Sequence, residues 1–160
     1  MTLAYVALGS NLGEPRTQVL RGFEALSRIP QSELIARSRL YRSAPWGVRE
    51  QPEFANAVAE LGTELGAREL LETLLRIERE AGRERGGSRW GPRLLDLDLL
   101  LYGDRVMREA GLTLPHPHLH ERAFVLLPLN ELAPDFDVPG RGPVRELSAR
   151  VLAGDCTPMD

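Results

Sequence analysis

The stretch "RWGPRLLDLDLLLY", Arg89 to Tyr102, sets two aspartates, Asp96 and Asp98, inside one of the most apolar runs of the chain. In a strand, residues two apart point to the same side. Asp96 and Asp98 then share one face, and Leu95, Leu97 and Leu99 share the other. Neighbouring carboxylates repel, and burying either one unpaired costs several kcal/mol. Something positive must sit between them, either arginines or a divalent cation. Hard oxygen ligands on a rigid strand suit Mg²⁺, which is usually held by one or two carboxylates together with phosphates. A plain edge strand with both acids facing water gives no reason for the pair, because Asp is disfavoured in strands.

Arg76, Arg79, Arg83, Arg85, Arg89 and Arg93 lie just upstream. Guanidinium groups bind phosphate oxygens bidentately and never lose their charge. Arg76 and Arg79, beside Glu72, Glu78 and Glu80, read as a solvated helix face with pairs one turn apart. Arg83 to Arg93 read instead as a mobile lid, interleaved with Gly82, Gly86, Gly87 and Gly91. Trp90 belongs with that lid, since it has no core to enter unless the loop closes. Paired carboxylates beside an arginine lid suit phosphoryl transfer, where catalysis is positioning and charge neutralisation.

These residues need elements to hold them. Leu3–Leu8 reads as a strand that Gly9-Ser10-Asn11 ends as a turn. From Pro15 the pattern is helical, with Val19, Phe23, Leu26 and Ile29 on one face until Pro30. Ser32–Tyr41 and Phe54–Leu61 read as strands, separated by the polar loop "RSAPWGVREQPE". Leu65–Ala81 reads as a second helix with Leu70, Leu71, Leu74, Ile77 and Ala81 inward. The Gly-rich basic loop then feeds the strand Leu94–Leu101. A third helix is expected around His120–Glu131 despite Pro128, and a short amphipathic element near Val144–Leu152. The order β-α-β-β-α-β predicts an α+β, ferredoxin-like fold with a mainly antiparallel sheet. We expect one catalytic domain over residues 1–160.

Composition prunes the alternatives. With 160 residues, 42% hydrophobic and 27% charged, the chain has the size and make-up of one soluble domain. The net charge of −3 gives no general pull toward nucleic acid or anionic membrane. Every one of the 20 basic residues is arginine. The absence of lysine excludes a P-loop, a protein kinase and Schiff-base chemistry. One cysteine, Cys156, excludes a disulfide framework within the chain and fits a reducing compartment. The N-terminal stretch reads as neither a signal peptide nor a membrane span, so a cytoplasmic protein is expected.

Four stretches resemble one known family, in its order. "RWGPRLLDLDLLLYG" (Arg89–Gly103) is similar to the signature of 6-hydroxymethyl-7,8-dihydropterin pyrophosphokinases. "AYVALGSNLG" (Ala4–Gly13), "QPEFANAV" (Gln51–Val58) and "LPHPHLHERAFVLLPLNELAP" (Leu114–Pro134) resemble its opening, pterin and nucleotide segments. The likeness covers roughly residues 3–135, and the tail beyond carries little signal. It implies transfer of a pyrophosphoryl group from ATP to a pterin hydroxymethyl oxygen, leaving AMP. On that resemblance Asp96 and Asp98 would hold two Mg²⁺ ions. Arg83 and Arg93 would be catalytic arginines on the phosphates, with Arg85, Arg89 and Trp90 in the same lid. His116 and Arg122 would bind phosphates. Backbone near Leu99 and Thr113 would line the adenine pocket, with Leu71 and Glu78 near the nucleotide. Phe54 and Phe124 would sandwich the pterin, a flat ring that wants aromatic faces and an amide partner. Asn56 would supply that amide from the same strand face as Phe54. Backbone at Ser43, Ala44 and Trp46 would finish the edge contacts, and Asp96 could reach the pterin hydroxyl. His118 and Trp46 depart from the family pattern, which often has Arg and smaller aliphatics there.

Two other readings compete. His116, His118 and His120 could face one way in an extended chain, as transition-metal ligands do. Pro115 and Pro117 break any regular strand, and Glu121 is the only adjacent acid. A ferredoxin-like fold with a basic loop could also bind RNA by stacking bases on sheet aromatics. Aromatics are only 6% of residues, and the net charge is negative. The partners expected are small molecules, with no nucleic acid and no membrane, and a monomer.

Overall fold

The computed structural model describes residues 1–43, 53–83, 94–154 and 156–159, and Arg83 by its backbone alone. Ten short and long strands and four helices follow in order: β1 (Thr2–Ser10), α1 (Pro15–Ser27), β2 (Ser32–Arg37), β3 (Tyr41–Ser43), β4 (Phe54–Thr63), α2 (Ala67–Arg83), β5 (Asp96–Tyr102), β6 (Met107–Glu109), β7 (Leu112–Leu114), α3 (Ala123–Leu132), β8 (Asp137–Val138), β9 (Gly142–Pro143), α4 (Val144–Arg150) and β10 (Thr157–Pro158). The main sheet is antiparallel in every described pairing and runs β10-β3-β4-β1-β5, with β2 also paired to β4. The expected β-α-β-β-α-β core is present within this order. No described helix is long and apolar enough to cross a membrane.

Alternation along β1, β4 and β5 builds two cores, one on each side of the sheet. Val6, Leu8, Ala55, Ala57, Ala59, Leu61, Leu97 and Leu99 face one side, where Phe23 and Leu26 of α1 and Leu70 and Leu74 of α2 meet them. Tyr5, Val58, Leu100 and Leu101 face the other, under Leu126 and Leu129 of α3 and Leu147 of α4. Small residues on β4 let the helices approach. Gly22 does the same on α1, since a Cβ there would lie 2.7 Å from Leu8 Cδ2. Pro15 opens α1 at its first turn, where its missing N–H has no helical partner to lose.

Several boundaries differ from the expectation by a residue or more, and four of these differences bear on the site. β1 runs on through Gly9 and Ser10, because β4 pairs with both and β5 still pairs with Gly9. The expected strand Ser32–Tyr41 splits into β2 and β3. At the break the Ser38 N–H goes to the Val58 carbonyl, and Ser38 Oγ takes the Val58 N–H. α2 extends through Gly82 to Arg83, so Arg83 ends a helix rather than opening a loop. The third helix is a 3₁₀ turn, Leu119–Glu121, followed by α3. Pro128 inside α3 forfeits one backbone bond, and tertiary packing outweighs that loss.

Because Gly22 sits against Leu8 and Leu95, Gly22→Ala is expected to overpack the α1 contact. Overpacking of this kind costs about 1–3 kcal/mol. A thermal melt of the variant checks this, and an unchanged Tm would show that α1 has room to spare.

Candidate active site

The sheet register brings the expected residues into rows. Gly9 of β1 pairs with Asn56 of β4 on one side and Asp96 of β5 on the other. One row along, Ala7 pairs with Val58 and with Asp98. Directly opposed residues share a face, so Asn56, Asp96 and Asp98 all lie on the side of the sheet that carries α3. Phe54 joins them by alternation along β4. The two middle positions carry almost no side chain. A Cβ on Gly9 would stand 3.4 Å from Asn56 Oδ1. The middle strand thus leaves open floor between the amide and the acids.

The aspartates differ in exposure: Asp96 is half-buried and Asp98 exposed, while Leu97 and Leu99 are buried on the opposite side. Two contacts fix β5 along its free edge. Glu78 Oε2 of α2 accepts the Leu97 N–H at 3.1 Å, between the two acids. Farther on, Leu100 is an extra residue in the β1–β5 pairing, and its carbonyl takes the His116 N–H at 2.9 Å. Peptide groups alternate sides along a strand, so the Leu99 peptide faces the same free edge as that of Leu97. Thr113, exposed on β7, lies on the hairpin beside that edge. Leu71 packs into the α1/α2 core, seven residues before Glu78 on the same helix.

His116 sits where Asp98, Arg122 and His118 all act on it. Burial holds its imidazole below the ordinary value. Asp98 pulls it back up, and Arg122 and His118 push it further down. Its Nδ1 accepts the His118 N–H at 3.2 Å, so the neutral ring carries its proton on Nε2. His118 Nδ1 lies 3.2 Å from Glu121 Oε2, and His120 Nε2 3.4 Å from Glu121 Oε1. Hydrogen bonding to His118 is the main reason the Glu121 carboxyl lies below its usual range. His118 and His120 thus share one carboxylate, while His116 bonds the His118 backbone instead. Among the described residues no group of three or more His, Cys, Asp and Glu could hold a metal. A structural zinc centre has no support there. A pair of carboxylates alone fits a different ion, one that keeps water and takes phosphate oxygens, as Mg²⁺ does.

The two expected ring residues lie on separate elements. Phe54 is half-buried on β4, and Phe124 packs at the margin of the α3 core with the Arg122 guanidinium 5.6 Å over its ring. Asn56 is 5% exposed, and its Nδ2 donates to Ser43 Oγ at 2.7 Å. That bond leaves the amide oxygen facing the Gly9 gap. Ala44, Trp46, Arg85, Arg89, Trp90 and Arg93 lie outside the described residues, as does the side chain of Arg83.

Sequence reasoning missed three contributors. Gly9 was read as a turn, although a glycine inside a strand marks close approach. Glu131 of α3 accepts the Tyr41 hydroxyl, takes the Arg39 N–H at 3.1 Å and pairs with the Arg39 side chain at 3.5 Å. This ties α3 to β3, the strand that ends in Ser43, and burial followed by Glu131 pushes Tyr41 up to about 12. The pairing of β10 with β3 is the third.

The chain is similar to known proteins over most of its length. The family model described as 7,8-dihydro-6-hydroxymethylpterin-pyrophosphokinase (HPPK) matches residues 5–134. The 2-amino-4-hydroxy-6-hydroxymethyldihydropteridine pyrophosphokinase of Pseudomonas aeruginosa is 50% identical over 145 residues, covering 91% of this chain and 89% of the relative. The protein of that name in Haemophilus influenzae is 45% identical over 147 residues, 92% of this chain and 91% of the relative. Among solved structures, Plasmodium falciparum HPPK-DHPS wild type with pteroate superposes with a TM-score of 0.70 at 13% identity. It covers 93% of this chain, which spans only 42% of that longer one, and it speaks for the fold alone. Family model, relatives and fold agree: the chain belongs to the 7,8-dihydro-6-hydroxymethylpterin-pyrophosphokinase family.

Proposed function

We propose that this chain, as a member of that family, transfers pyrophosphate from ATP to the hydroxymethyl group of 6-hydroxymethyl-7,8-dihydropterin in folate biosynthesis. The products are the pterin diphosphate and AMP. The pterin hydroxyl oxygen bonds to the β-phosphorus and its proton passes to solvent, the bond from that phosphorus to the α–β bridging oxygen breaks, and AMP leaves with that oxygen. The observation that carries the reading is the sheet row Asn56–Gly9–Asp96, with Asp98 one row along. One open face thereby offers a recognition amide and a carboxylate pair with a single strand between them.

Asp96 and Asp98 would hold the Mg²⁺ ions, of which we propose two, and these would supply neutralisation of charge on the triphosphate. The chain's own residues do the rest. Neutral His116 donates its Nε2–H to a phosphate oxygen, and Arg122 adds a permanent positive charge beside it. Leu99, Thr113, Leu71 and Glu78 frame the adenosine end along the free edge of β5. Phe54 and Phe124 cover the two faces of the pterin, and Asn56, held by Ser43, reads its polar edge. Asp96 stands next to the pterin hydroxyl as well as the metal. Arg83 and Arg93, with Arg85, Arg89 and Trp90, close on the phosphates, and Ala44 and Trp46 complete the pterin edge. We place the activity in a single domain, residues 1–160, working as a cytoplasmic monomer.

The direct test is an assay with ATP and the pterin alcohol. AMP is the expected nucleotide product, and ADP in its place would refute the proposed bond cleavage. Asp98→Ala removes an exposed ligand and no core, so the Tm stays put while kcat falls by at least about 10²-fold. An active Asp98→Ala chain would rule out the metal role. Phe124→Ala is expected to weaken pterin binding with nucleotide affinity unchanged, and equal loss of both would mean a packing role instead.

The electrostatics give a pH test of their own. Since the fold favours neutral His116, this group's contribution to stability is complete above the ordinary imidazole value and is lost as pH falls through the depressed one. Among the described residues Asp98 is the one neighbour raising that value, so Asp98→Asn lowers the His116 midpoint further in an NMR titration. A midpoint that rises would contradict the arrangement.

A further inference from the structure

The family match stops at residue 134, yet the chain beyond it returns to the site. β3 is three residues long and carries Ser43, whose hydroxyl accepts the hydrogen bond from buried Asn56. One side of β3 is paired to β4, with Tyr41 opposite Asn56 and Ser43 opposite Phe54. Its other side is paired by β10, with Thr157 opposite Arg42 and Pro158 opposite Tyr41. The Met159 N–H extends the ladder to the Leu40 carbonyl at 2.9 Å. The Met159 side chain packs against the α1/α2 core, and it borders a cleft of about 350 Å³ together with Arg42 and Phe54. Cys156, at the start of the segment, is buried to 6% exposure. A strand this short has little stability of its own, and an unpaired edge is prone to fray.

From this we infer that the C-terminal segment Cys156–Met159 is a positioning element for the pterin half of the site, with Met159 as its anchor. It acts through β3: the segment holds the β3 backbone, β3 holds Ser43, and Ser43 orients the Asn56 amide. The inference rests on the pterin reading of Asn56 and Phe54. It assigns no contact between the segment and the nucleotide, whose candidate residues lie on the opposite edge of the sheet at β5.

The test uses the full chain, a chain ending at Gly154, and two variants of the anchor. Met159→Pro deletes the N–H that reaches Leu40, whereas Met159→Leu keeps both that bond and the apolar side chain. Pterin-alcohol binding is read by its fluorescence in the presence of Mg²⁺ and the α,β-methylene analogue of ATP. Binding of that analogue is measured separately, along with the Tm. Loss of one well-made hydrogen bond corresponds to about a tenfold weaker pterin affinity. That loss is expected in the shortened chain and in Met159→Pro, with analogue affinity within about twofold and Met159→Leu like the unaltered chain. If the shortened chain does not fold, Met159→Pro decides. Unchanged pterin affinity in Met159→Pro overturns the inference. So does a parallel loss of pterin and nucleotide affinity with a lowered Tm, because that is general loosening. Failure of the unaltered chain to bind the pterin alcohol would instead refute the proposed function.

Discussion

Two like charges two residues apart on a strand constrain everything around β5. At the spacing of roughly 6–7 Å that a strand imposes, a pair of carboxylates repels by about 0.6 kcal/mol in water and about 2.5 kcal/mol at the effective dielectric of a protein surface. The leucines that alternate with Asp96 and Asp98 commit the other face of the strand to the core, so the acids cannot turn inward to escape. A slip of one residue would bury both carboxylates and expose Leu97 and Leu99. The fold prevents that slip from two directions. Glu78 grips the peptide between the acids, and the extra residue at Leu100 lets His116 grip the strand just beyond them.

The same constraint explains the small residues in the middle of the sheet. Larger side chains at positions 7 and 9 would fill the face between β4 and β5 and separate the acids from Asn56. Burial is then arranged around the opening rather than across it. The core under α1 and α2 is continuous, whereas the core under α3 and α4 is set back toward Tyr5, Val58 and Leu101. Arg122 and Phe124 stand at the start of α3, the guanidinium 5.6 Å over the ring, and Glu131 near the end of the same helix ties it to β3.

Which side chains share a face was legible in the sequence because it obeys simple periods. Alternation alone placed Asp96 with Asp98 and Phe54 with Asn56, and helical spacing gave α1 and α2. What stayed hidden depends on partners far along the chain. Gly9 and Ser10 look like a turn until β4 is there to pair with both and β5 with Gly9. The break between β2 and β3 is made by Ser38 bonding Val58, a contact no local pattern announces. β10 is two residues long, too short for any period, and it exists because the edge of β3 accepts it. α2 runs on through Gly82 to Arg83 although Ala81 is its last residue packed against the core, so the local signal of Gly82 misplaces its end.

Manganese resonance offers the most direct measurement of the central claim. Mn²⁺ takes the same hard oxygen ligands as Mg²⁺ and reports whether it is bound by its electron paramagnetic resonance signal. With the α,β-methylene analogue of ATP present, the chain is expected to immobilise two Mn²⁺ ions, and the double variant Asp96→Asn, Asp98→Asn to immobilise neither beyond what the nucleotide alone holds. Equal Mn²⁺ binding by the two chains would mean that the paired acids on β5 serve something other than a metal-bound nucleotide.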